Sequence, residues 1–150
     1  MTPVEINVAL MQILTLRSAP AYHAAEVMRR SVGEVAMANA KPGTAQHSNI
    51  RLLIGTWETI ATRVLANDDL KIPFYDSNPA GHMWLALEPA IEILRKRKIR
   101  VKAGKKTTEV TPSEYASKFE RLNELYGVWL AGQPSGYQGQ LLAGINAIFG

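Results

Sequence analysis

The residues of this chain that could do chemistry are three histidines and a few closely spaced carboxylates. His23, His47 and His82 are too far apart in the sequence to form the i, i+4 pair of a helical metal site. His23 and Glu26 share a helix face, but di-iron bundles place Glu before His and use that motif twice. We therefore expect no metal and no cofactor.

Two glutamates, Glu88 and Glu92, lie one helical turn apart, a spacing that suits a general acid and a general base. The simpler interpretation is a solvated surface on which Glu92 pairs with Arg95 or Lys96. The serines form no nucleophile elbow and the glycines form no phosphate-binding loop. The chain is therefore not expected to be an enzyme.

The strongest chemical feature is the basic segment, residues 95–106, which contains eight positive charges and no acidic residue. The net charge of the whole chain is +4, so the remaining residues carry a net charge of −4. A field polarised in this way steers anionic partners. The candidate binding residues are Arg95, Lys96, Arg97, Lys98, Arg100, Lys102, Lys105 and Lys106.

The basic segment suits more than one partner. An acidic protein surface is the first choice, which predicts a non-enzymatic interaction protein such as an adaptor, assembly factor or inhibitor. The alternative is a nucleic-acid-binding protein that contacts phosphates through the same residues. The interleaved aromatic residues of a single-strand binder are missing, since Trp57, Trp84 and Trp129 all fall on apolar helix stripes. Two further alternatives are that the basic segment is a solvated surface without function and that it binds membrane lipid.

Two helices joined by an acidic connection are predicted in residues 48–100. The connection, residues 68–78, is predicted to be a loop, because Pro73 and Pro79 remove backbone donors, with residues 72–75 crossing the surface. Pro89 is expected to kink the second helix or to begin a new one. The two apolar stripes are Ile50, Leu53, Ile54, Trp57, Ile60, Ala61, Val64 and Leu65, then Met83, Trp84, Leu87, Ala90, Ile91 and Leu94.

The N-terminal helix begins at a capping box formed by Thr2 and Glu5 and runs to about Arg17. Its apolar residues cover nearly the whole circumference, which predicts either the central helix of a bundle or a helix covered by a second subunit. The second alternative predicts self-association through this helix. The residues assigned to it are Ile6, Leu10 and Ile13.

Behind the basic segment, residues 99–102 and 107–110 alternate apolar and polar side chains and predict a β-hairpin. A further helix is predicted to begin at the capping pattern of residues 111–114 and to end at residues 132–136. The tail is predicted to form a short amphipathic helix that docks on the bundle or on a neighbour. Its apolar residues are Leu141, Leu142, Ile145, Ile148 and Phe149.

The length of 150 residues suits one domain with a substantial core, and the absence of cysteine excludes disulfides. No signal peptide or membrane span is predicted, and a cytoplasmic location is expected. The predicted fold is an all-α bundle of about five main helices with a small basic hairpin or arm and the C-terminal helix. The single domain, residues 1–150, divides into a front helical hairpin 2–39, a linker 40–47 and a rear section 48–150.

One further pattern lies within residues 50–98 and consists of Trp57, Glu58, Ile60, Ala61, Asp68, Asp69, Trp84, Leu87, Pro89, Ile91 and Arg95. This pattern resembles an uncharacterised family of small bacterial helical domains. The resemblance implies a helical, non-catalytic module. The lack of any recognisable active-site motif would suit a bacterial or phage accessory protein.

Overall fold

The computed structural model of the chain describes residues 1–134, and the predicted C-terminal helix lies outside them. The described part is an all-α bundle that carries one antiparallel hairpin, which confirms the predicted fold class. In chain order the elements are α1 (Pro3–Ser18), α2 (Pro20–Val32), α3 (Glu34–Asn39), α4 (Ala45–Leu65), α5 (Asp68–Ser77), α6 (Ala80–Lys96), β1 (Ile99–Ala103), β2 (Lys106–Val110) and α7 (Ser117–Ala131).

Helix α4 is the centre of the bundle and packs against each of the other described helices. Its predicted stripe is buried except for Leu65, which is half-buried. Trp57 is fully buried and contacts side chains from three other helices. The Trp57 ring stacks on Phe119 with ring centroids 5.5 Å apart, and its Nε1 donates a hydrogen bond of 2.9 Å to the Tyr22 hydroxyl. The guanidinium of Arg17 lies 5.2 Å from the centre of the Trp57 ring. Through this residue α4 holds α1, α2 and α7 together.

The position of α1 differs from one of the two predicted alternatives. The helix starts as expected, with Thr2 Oγ1 accepting a hydrogen bond from the Glu5 amide. Only Ala9 and Ile13 of α1 are buried, so α1 lies on the outside of the bundle and α4 takes the central place. Because apolar residues surround α1, the side of this helix that faces away from the bundle exposes apolar side chains to solvent.

The predicted loop at residues 68–78 is wrong, because the structure has a helix, α5, over most of it. The acidic pair Asp68 and Asp69 lies in its first turn, where negative charge is favourable. Pro73 is tolerated because the carbonyl it leaves unbonded belongs to exposed Asp69 and can meet water. Burial of Phe74 and Tyr75 outweighs the proline penalty, so these residues belong to the core rather than to a surface strap.

Other boundaries also depart from prediction. The second helix is split at Gly33, whose φ of 93° breaks α2 from α3. Helix α4 begins at Ala45, with Thr44 as N-cap, so the linker is shorter than residues 40–47. Helix α6 continues through Pro89, because the carbonyl that Pro89 leaves unbonded belongs to exposed Leu85 and can meet water.

Helix α7 starts later than predicted and is capped by another helix. Its N-cap residue, Ala116, has a left-handed φ of 62° and no side chain that could accept a hydrogen bond. The carboxylate of Glu58 on α4 takes this role by accepting hydrogen bonds from the amides of Lys118 at 3.2 Å and Phe119 at 2.9 Å. These hydrogen bonds cap the start of α7, but the acceptor Glu58 lies 60 residues before Lys118 in the sequence.

Replacing Glu58 by Ala is expected to lower the free energy of unfolding by about 1–2 kcal/mol, since two amides at a helix start lose their acceptor. Urea denaturation followed by circular dichroism measures this loss. Glu92→Ala is the matched control, because Glu92 is exposed, and it should change stability by less than about 0.5 kcal/mol. Equal effects of the two substitutions would contradict the capping role of Glu58.

Candidate functional site

The basic segment does not act as one surface, because two of its eight cations turn into the bundle. Arg95 and Arg97 are half-buried and bind groups of the protein itself. The other cations lie at the end of α6 and along the hairpin, and all are exposed. These exposed residues are Lys96, Lys98, Arg100, Lys102, Lys105 and Lys106.

Arg95 connects the end of α6 to the start of α7 through a hydrogen bond and an ion pair. Its Nε donates a hydrogen bond of 2.7 Å to the carbonyl of Tyr115, and its Nη2 lies 2.7 Å from Oε2 of Glu120. The predicted pairing with Glu92 is therefore not the one that Arg95 makes. The bond to Tyr115 and the pair with Glu120 join the chain just before the hairpin to the chain just after it.

Arg97 binds the segment that follows α3. Both of its terminal nitrogens approach the carbonyl of Ala40 at 3.4 Å, and Nη1 lies 3.3 Å from Nδ1 of His47. A guanidinium only donates, so Nδ1 accepts and the imidazole is neutral. Burial lowers the pKa of His47, and the positive charges of Arg97 and Arg51 lower this pKa further, which favours the same neutral form.

Arg95→Ala is expected to lower the free energy of unfolding by about 1–3 kcal/mol, because a charged hydrogen-bond donor to two partly buried acceptors is lost. Its neighbour Lys96 is exposed, so Lys96→Ala serves as the control and should change stability by less than about 0.5 kcal/mol. Thermal and urea denaturation of the two variants give the comparison. A stability change confined to Lys96→Ala would show that Arg95 is not the residue that holds α6 to α7.

The hairpin, called the basic ribbon from here on (residues 99–110), extends away from the helices, as every residue in its two strands is exposed. Ile99 pairs with Val110 and Ala103 with Lys106, which confirms the predicted hairpin. Gly104 has a φ of 64° and occupies the first position of the two-residue turn, where a type II′ turn requires glycine.

The two faces of the basic ribbon differ in character. Side chains alternate along each strand, so Arg100 and Lys102 lie on one face. The opposite face carries Ile99, Val101 and Val110, whose exposed fractions are 42%, 45% and 38%. The alternation was visible in the sequence, but it did not reveal that the apolar face would remain uncovered.

The three residues assigned to self-association do not form one exposed patch. Ile13 is 1% exposed and belongs to the core, and Ile6 and Leu10 are half-buried against it. The apolar residues that α1 presents to solvent are a different set, the α1 stripe, at i, i+4, i+7 spacing. The α1 stripe consists of Val4, Val8, Met11 and Leu14.

The remaining chemical candidates are the histidines and the carboxylates near them. Among residues 1–134 there is no group of three or more His, Asp or Glu side chains that could hold a metal ion. His23 is exposed, and Glu26 pairs with Arg29 on its own helix at 2.9 Å. Within the same residues no helix has both the length and the apolar character needed to cross a membrane.

Comparisons of the chain with protein-family models, with curated proteins and with solved structures found no match. The resemblance of residues 50–98 to a family of small bacterial domains therefore stays a prediction.

Proposed function

We propose that this protein is a non-enzymatic interaction protein that binds an acidic surface of another protein through the basic ribbon. The single observation that carries the proposal is the placement of the six exposed cations. They stand on or beside an extension that the core does not need for its own packing. An adaptor, an assembly factor or an inhibitor would use such an extension.

The apolar face of the basic ribbon favours a protein partner over nucleic acid. Protein interfaces combine an apolar centre with charged residues at the rim. Ile99, Val101 and Val110 provide the first feature, and the cations around them provide the second. Phosphate groups would engage only the cations, and they would leave these three side chains in water.

The test is a titration of the whole chain against an acidic peptide and against mixed-sequence DNA and RNA, each at a low and a high salt concentration. The proposal expects saturable binding of the peptide and feeble binding of both nucleic acids. Tight binding of nucleic acid would overturn the proposal. On duplex DNA, such binding would show a slope of log K against log salt of about −0.9 for each phosphate that the protein neutralises.

The second candidate function is binding of nucleic acid. The observation in its favour is the shape of the basic ribbon, since a two-stranded ribbon can enter the major groove of B-DNA. Arg100 and Lys102 on one face would then meet phosphates. Insensitivity to base sequence, together with the steep salt dependence given above, would distinguish this function.

We also propose that the protein forms a homo-oligomer through the α1 stripe. A symmetric interface brings the same patch of two copies together, and no ionised side chain lies within this stripe to repel its copy. Uncovered apolar surface of this kind marks interaction sites in folded proteins. The self-association predicted from sequence is kept, but Val8 and Met11 replace Ile13 at its centre.

Met11→Glu is expected to yield a smaller species that keeps its fold, because a charge would be buried in the interface. Light scattering and circular dichroism measure the two properties. Gln12→Glu introduces the same charge beside the α1 stripe and should leave the mass unchanged. A wild-type chain that is monomeric at micromolar to millimolar concentration would contradict the proposed homo-oligomer.

A further inference from the structure

The register of the basic ribbon determines which backbone groups face outwards. In an antiparallel pair, residues that share hydrogen bonds alternate with residues that do not. The pair that closes the two-residue turn, Ala103 with Lys106, is of the hydrogen-bonded kind, and so are Val101 with Thr108 and Ile99 with Val110. The amides and carbonyls of the residues between them therefore point away from the partner strand.

These outward groups belong to Arg100 and Lys102 on β1, and to Thr107 and Glu109 on β2. Both strands are edges, because the sheet has only these two strands in the part of the chain that the structure describes. An exposed edge is a template for another strand. The two edges differ in charge, since the outward residues of β1 are basic and those of β2 are neutral and acidic.

We propose that β1 accepts an extended segment of the partner protein as a third strand, in which acidic residues alternate with apolar ones. This inference rests on the proposed function and specifies how the acidic partner is held. Main-chain hydrogen bonds to Arg100 and Lys102 supply affinity, and alternate side chains supply specificity.

The alternation follows from the two faces of the basic ribbon. Neighbouring strands place side chains of paired residues on the same face. Acidic side chains of the added strand lie beside Arg100 and Lys102, and the residues between them lie beside Ile99 and Val101 on the opposite face. The incoming strand covers part of the apolar surface that the bundle leaves in water.

Charge selects both the edge and the occupant. On β2 an acidic strand would lie next to the carboxylate of Glu109, where like charges repel. Pairing of β1 with the β1 of a second copy is disfavoured, because it would set Arg100 and Lys102 against the same basic residues. An acidic strand meets neither obstacle on β1.

The test uses the whole chain labelled with ¹⁵N and a blocked peptide of about six residues, the usual length of a strand, in which glutamate alternates with valine. A peptide of the same composition, with all glutamates before all valines, is the control. The alternating peptide is expected to slow hydrogen exchange at the Arg100 and Lys102 amides by about tenfold or more. The Thr107 and Glu109 amides should keep exchanging at their original rate.

Two proline variants separate the backbone contribution from the charge. Lys102→Gln removes the charge alone, whereas Lys102→Pro also removes an outward amide that β2 does not use. The proline variant is expected to bind the alternating peptide about tenfold more weakly than the glutamine variant. Thr107→Pro removes an outward amide from the opposite edge and should bind as wild type does.

Each outcome separates the inference from the function on which it rests. Equal binding of the two peptides without protection of the Arg100 and Lys102 amides would overturn strand addition but leave the acidic partner in place. Protection of the Thr107 and Glu109 amides instead would show that the peptide binds to β2, and this result would also overturn the inference. If neither peptide binds at low salt, the proposed function itself fails.

Discussion

The triple variant Lys98→Glu, Arg100→Glu and Lys102→Glu is expected to bind the acidic partner about a thousandfold more weakly than wild type, a loss of ~4 kcal/mol. Each substitution removes an attractive contact and sets a carboxylate against the carboxylates of the partner. Arg100 and Lys102 lie on the basic ribbon and Lys98 directly precedes it, and all three side chains are exposed. The fold should therefore survive the change, and isothermal titration calorimetry gives the affinity.

A matched control reverses three exposed cations elsewhere, Lys41, Arg63 and Lys118. It changes the net charge by the same amount, so it reports any effect of overall charge alone. We expect it to slow association modestly and to leave the dissociation rate unchanged. If the control loses as much affinity as the ribbon variant, the basic ribbon is not the binding surface. A ribbon variant that binds normally would lead to the same conclusion.

The second large effect is expected in the core. Trp57→Ala should lower the free energy of unfolding by about 3–5 kcal/mol, the usual range when a buried aromatic side chain is truncated. The ring that packs between Phe119 and Arg17 is removed, and the Tyr22 hydroxyl loses its bond from the indole. Burial raises the pKa of Tyr22, so this hydroxyl stays protonated and polar in the cavity.

Urea denaturation of Trp57→Ala and Trp129→Ala provides the measurement and its control. Trp129 packs against Tyr75 and Tyr126 near the end of α7 and is half-buried, so its truncation should cost less. A Trp57→Phe variant should fall between wild type and Trp57→Ala, because it keeps the stacked ring but loses the donor. A loss below about 1 kcal/mol for Trp57→Ala would show that α4 does not hold the bundle through this residue.

The helices could be predicted from sequence wherever burial follows the helical period. The stripe around Trp57, apart from half-buried Leu65, and the stripe from Met83 to Leu94 are buried as predicted. Thr2 caps α1 as its spacing indicates. The hairpin was predictable because its strands alternate and its turn contains Gly104. Local patterns were sufficient in these elements because packing and local preference agree.

Prediction failed where distant contacts decided the local structure. Proline preferences favoured a loop at Pro73, but burial of Phe74 and Tyr75 against the rest of the core made it helical. The start of α7 depends on Glu58, which lies in another helix, so no local capping pattern could place it. Propensities act within a few residues, whereas these two interactions cross the fold.

The candidate site was only partly predictable for the same reason. The eight cations formed one run in sequence, but the structure assigns Arg95 and Arg97 to the packing of the bundle. Sequence spacing does not show which of two neighbouring cations will find an acceptor on a distant helix. The outward apolar residues Val8 and Met11 on α1 also could not be distinguished from the inward ones, because the apolar residues surround the helix.

The bonds of Arg95 to Tyr115 and Glu120 have a consequence for how this chain can change. They close the bundle below the basic ribbon, and the pairing of Ile99 with Val110 brings the two ends of the ribbon together at that point. Because the residues of the basic ribbon are exposed, we expect the helices to tolerate changes in the length and composition of the chain between residues 99 and 110. This position is a grafting site, where one recognition element can be exchanged for another while the helices beneath keep their arrangement.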